Sequence, residues 1–146
     1  MKRADRLQPV QKIVDDTERR LAEHLAASER LLRSCEHKLG ELTGYRDDYT
    51  HGFARRAAGG MGARELVDYQ AFMAKLNEAI SHQDKVTQQA RQERDLQRKR
   101  WQDAARRAKA LGHVIHHWQQ EERQAGERRE QRESDERAQR RRVVRE

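Results

Sequence analysis

Along most of this chain, residues that favour burial recur at alternating steps of three and four. On the N-terminal side the series reads Leu7, Val10, Val14, Thr17, Leu21. It resumes as Leu25, Ser28, Leu32, Cys35, Leu39, Leu42, Arg46, Tyr49, Phe53. A second series reads Leu66, Tyr69, Met73, Leu76, Ile80, Gln83, Thr87, Ala90, then Arg94, Gln97, Trp101, Ala104, Ala108, Leu111, Ile115, Trp118. Such a series puts one apolar stripe on one face of a helix, the seam of a two-stranded coiled coil. The extra four-residue step from Leu21 to Leu25 is a stutter, which locally unwinds such a coil. From Gln83 to Gln97 the second seam is polar, so the pattern has a weak centre.

Between the two series lies the clearest break. Four of the eight glycines fall between Gly52 and Gly62, and Gly59-Gly60-Met61-Gly62 is a strong helix stop. The predicted architecture is all-α: a long antiparallel two-helix coiled coil, or helical hairpin, forming a single unit over 1–146. Helix 1 is expected over about 9–56, the turn over about 57–62 and helix 2 over about 63–118. Pro9 is placed in the first turn, where proline is tolerated. Gly59 is placed as the left-handed residue ending helix 1, and Gly62 as the cap of helix 2. Aligning Phe53 with Leu66 brings Leu7 beside Gly112. The paired part is then roughly 75 Å long at 1.5 Å per residue. Residues 119–146 have no apolar stripe and many Glu/Arg neighbours at helical spacing. They are expected to extend helix 2 as a fraying tail, disordered at its end.

Composition agrees and excludes several classes. Apolar residues are 34% and charged residues 39% of the 146, against about 45–50% and 25% in an average domain. That is too little apolar matter for a large closed core. One cysteine excludes a disulfide scaffold. There is no apolar run long enough for a membrane span, and no apolar segment of a secretory signal near the start.

The net charge of +7 admits nucleic acid, acidic lipid or an acidic protein as partner. Arg91, Arg94, Arg98, Lys99, Arg100, Arg106, Arg107 and Lys109 form the strongest basic cluster, with Glu93, Asp95 and Asp103 interspersed. Trp101 could stack on a base there, but it also fits the seam. His113 and His117 have metal-binding spacing, yet the zinc-protease pattern needs Glu where Val114 stands. Cys35 reads as a small buried hydrophobe. The glycine run is not a phosphate loop, since no Lys-Ser/Thr follows it. No cofactor, metal site or catalysis is expected.

The residues beside the seam carry more information. Tyr45, Phe72 and Ala79 each precede a seam position, and in a hairpin Tyr45 and Tyr49 come level with Phe72 and Leu76. One level near the turn therefore holds more aromatic surface than two helices cover. It is either a locally thicker core or an exposed docking strip.

Here Leu39-x-x-Leu42-x-x-Tyr45-x-x-x-Tyr49 and Tyr69-Gln70-x-Phe72-Met73-x-x-Leu76-x-x-Ala79-Ile80 resemble the FliJ family of flagellar type III export. The likeness of organisation spans nearly the whole chain, but only these two motifs are specific. The resemblance implies a hairpin similar to the stalk of rotary ATP synthases, cytoplasmic and peripheral at the inner membrane. Its implied partners are a hexameric flagellar export ATPase, a membrane export gate protein and export chaperones, with no nucleic acid. The gate-binding positions it implies are Leu42, Tyr45, Tyr49, Phe72, Leu76 and Ala79, flanked by Lys38 and Gln83. By analogy with rotary stalks the termini end would enter the ATPase ring, with Arg106, Arg107 and Lys109 facing it. In the hairpin the start of helix 1 lies beside the Lys109–Trp118 region, roughly 60 Å from the strip, about 40 residues at 1.5 Å each. The alternatives are a stalk of an injectisome-type secretion system and a nucleic-acid-binding coiled coil.

Overall fold

A computed structural model describes residues 2–145. Two helices account for nearly all of them: α1, Arg3–Ala58, and α2, Ala63–Arg145, packed against each other as a hairpin. The periodic apolar stripe is the cause. Neither helix can bury its stripe alone, and a four-residue turn leaves the other as the nearest apolar partner.

Both helices reach beyond the ranges expected from the sequence. Helix α1 starts at Arg3, so Pro9 lies inside it rather than at its start. The ring removes the N–H that would bond the Asp5 carbonyl. Asp5 and Pro9 are both exposed, so water can serve that carbonyl. The tail expected to lose order is helical as far as Arg145. Beyond Glu122 every described residue except Gly126 is exposed, consistent with a helix lacking an apolar stripe.

At the turn, Gly59 N donates to Arg56 O at 3.1 Å and Gly60 N to Ala57 O at 3.2 Å, tightening the last turn of α1. The left-handed residue is Gly60, at φ 93°, not Gly59. Helix α1 persists through Ala58, which moves the reversal one residue on. Gly62 O accepts from Leu66 N at 3.2 Å, opening α2.

The chain divides into two compact units, residues 21–101 and residues 1–20 with 102–146. In the first, Leu32, Cys35 and Ala90 form a buried cluster with Val86 packed on it. The polar seam beside it is hydrogen-bonded. Gln83 Nε2 donates to Cys35 O at 3.1 Å, and Thr87 Oγ1 donates to Gln83 O at 2.8 Å with Cys35 O 3.3 Å away. Thr87 is 1% exposed. The expected weak centre is thus a satisfied polar layer. The register also differs: Phe53 stacks on Tyr69, not opposite Leu66. The helices stop at Ala58 and Ala63, and partners lie about equally far from that break. The partner is thereby three residues further on, about 4.5 Å along the axis.

In the second unit Ala4, Ala104 and Ile115 are buried. The first turn of α1 is tied to α2 by polar contacts. Ala4 N, otherwise an unpaired helix-start donor, lies 3.5 Å from Glu122 Oε1. Arg3 Nη2 meets Glu121 Oε2 at 3.2 Å, and its guanidinium sits 4.9 Å from the Trp118 ring centre. A Cβ built on Gly112 would lie 3.8 Å from the Gln11 side chain. Gly112 therefore faces Gln11 rather than Leu7.

Candidate functional site

The aromatic level near the turn belongs to the unit of residues 21–101. Tyr49 of α1 and Phe72 of α2 stack with centroids 4.3 Å apart and planes 24° from parallel. One turn nearer the break, Phe53 and Tyr69 stack at 3.8 Å and 17°. Phe53 and Tyr69 are half-buried, whereas Tyr49 and Phe72 leave much of their surface to solvent, at 48% and 42% exposed. The level is both a thicker packing layer and an open apolar surface. Tyr45 is the freest ring at 58%.

The remaining strip residues differ in what they offer. Leu42 is half-buried and Ala79 exposed. Leu76 is buried at 8% and presents little surface to a partner. Of the flanking positions, Lys38 is exposed, whereas Gln83 is spent on the Cys35 carbonyl. Spacing alone does not mark the Phe53–Tyr69 stack as part of a surface. Its signal was present as two aromatic seam residues on either side of the glycine break. Their pairing depended on the register.

The basic residues of the other unit are open. Arg106 Nη1 lies 3.8 Å from Asp103 Oδ1 with its side chain 80% exposed. Arg107 and Lys109 are exposed and, among the described residues, engage no carboxylate. The arginines of residues 91–98 are used differently. Arg91 reaches Glu36 at 3.7 Å, Arg98 reaches Glu29 at 4.0 Å, and Arg94 holds Asp95 at 2.8 Å.

Cys35 is buried in the cluster with Leu32. His117 Nε2 lies 3.0 Å from Glu121 Oε1, and His113 and His116 are exposed. No described helix is long and apolar enough to cross a membrane.

Neither the curated proteins nor the solved structures yield a significant match to this chain. The family model described as flagellar FliJ protein matches residues 1–146. With its whole length matched and two long helices paired through the motif-bearing aromatics, the chain belongs to the FliJ family, a component of the flagellar export apparatus.

Proposed function

We propose that this chain is the stalk of the flagellar export apparatus. It promotes assembly and activity of the hexameric export ATPase and couples that ring to the membrane export gate. Export chaperones are its third class of partner. Gate contact would hold it at the cytoplasmic face of the inner membrane.

The observation that carries this reading is the open aromatic level. Tyr45, Tyr49 and Phe72 leave much of their surface to water in a chain with few aromatics, and such rings are the anchors that dominate protein interfaces. The other unit supplies a second surface of different chemistry, in Arg106, Arg107 and Lys109. Charged contacts of that kind favour encounter and orientation more than tight locking. That suits a stalk working inside a ring. The role is to join proteins, each through its own surface.

The test is site-specific crosslinking in cells, with a photoreactive residue at position 45 or 107 and partners identified by mass spectrometry. Position 45 should capture the gate and position 107 the ATPase. Capture of neither, with the chain expressed at normal levels, would overturn the reading.

A further inference from the structure

An open groove of about 570 Å³ runs beside the two aromatic stacks, in the unit of residues 21–101. Both stacks line it, so one wall is ring surface. Three carboxylates, Asp48, Glu65 and Asp68, line it as well, with one guanidinium, Arg56. Among the described residues none of these four side chains has a hydrogen bond or ion pair. Three negative charges against one positive leave the groove net acidic in a chain of net charge +7.

We propose that this groove receives one basic side chain, Arg or Lys, from a partner segment whose neighbouring residues are aliphatic. The inference rests on the gate reading for the partner's identity and deepens it by giving the chemistry of the docking segment. A guanidinium can lie flat on the outer face of a stacked ring while its N–H groups reach carboxylates at the rim. Aliphatic neighbours would cover the ring edges that remain. An acidic segment would meet three unpaired carboxylates, and a purely apolar one would desolvate them without compensation.

Gly52 gives a way to close the groove without disturbing the fold. It lines the groove, and a Cβ built on it meets nothing within 4 Å. Leucine is also a better helix residue than glycine. Gly52→Leu should therefore fill the groove and keep the helix.

The experiment selects peptides from a random displayed library on the immobilised full chain. Enriched peptides should carry Arg or Lys beside aliphatic residues. Their affinity should fall about tenfold in Asp48→Asn/Asp68→Asn, the loss of two partly exposed ion pairs. It should fall at least as far in Gly52→Leu, with helix content unchanged in both. Enriched peptides without a basic residue would overturn the proposal, as would affinity indifferent to these variants. The purified cytoplasmic part of the gate protein is then titrated against the same variants and Tyr45→Ala. Gate binding lost in Tyr45→Ala but kept in the groove variants would sink the groove and leave the gate reading standing. Gate binding unchanged in every variant would sink the gate reading, while the peptide selection still judges the groove.

Discussion

Replacing the buried polar layer by apolar residues should leave the hairpin as stable or more so, while loosening its register. Take Gln83→Leu with Thr87→Val. The first change removes the bond from Gln83 Nε2 to Cys35 O, 3.1 Å long, and the net worth of such a bond is about 1 kcal/mol. In return a buried leucine contributes about 1.5–3 kcal/mol relative to exposure. The second change removes a hydroxyl whose short bond, 2.8 Å, stays within α2. That loss, about 1 kcal/mol, is nearly matched by burying a methyl in its place, at about 0.8 kcal/mol. Neither acceptor carbonyl is stranded, because each also faces the helix N–H four residues on. The sum is a gain of about 1 kcal/mol, read from urea unfolding followed by circular dichroism. The directional link between helices is gone, however, and a buried polar pair is the kind of feature that fixes register. Spin labels on the two helices within residues 21–101 should then show a broadened distance distribution. Destabilisation beyond about 2 kcal/mol would refute the reasoning, because the bond would exceed the usual net value. A distribution as sharp as wild type would refute the register role.

Two other outcomes follow from the contacts described. Tyr45→Ala should weaken gate binding and leave the unfolding midpoint nearly unchanged, whereas Phe72→Ala should also lower stability by roughly 1–2 kcal/mol, having lost its stack on Tyr49. Equal unfolding costs for the two would mean that Tyr45 is core. Arg3→Ala should speed amide exchange in the first turns of α1 by a few-fold, since it removes the Glu121 pair and the Trp118 contact, worth together about 1 kcal/mol. Unchanged exchange there would show that the buried Ala4 alone holds that end.

The hairpin was legible because helix faces follow from spacing alone. Leu32, Cys35 and Ala90 stand on the seams that spacing assigns, and they are buried together. Axial register was not legible, because every seam residue recurs each turn and a slip of one turn keeps both stripes paired. The end of α1 at Ala58 and the stacking of Phe53 on Tyr69 set it instead. Gln83 and Thr87 read as weak points because their polarity is visible in sequence and the carbonyl they face is not. The same limit applies to the strip. Family motifs mark Leu76 and Phe72 alike, but four residues along α2 separate a buried leucine from a ring 42% exposed. The tail read as disordered because it lacks an apolar stripe. Its Glu/Arg spacing, as in Glu133–Arg137 at 3.9 Å, is compatible with the helix observed.

The stalk reading predicts that its two surfaces serve two partners separately. The direct measurement is ATP hydrolysis by the purified export ATPase together with gate binding, on the same preparations of wild type, Tyr45→Ala and a variant with Arg106, Arg107 and Lys109 changed to Glu. The charge-reversed chain should stimulate hydrolysis poorly and bind the gate normally, and Tyr45→Ala should do the opposite. Full stimulation by the charge-reversed chain, with stimulation lost in Tyr45→Ala, would contradict the account and exchange the roles of the two surfaces.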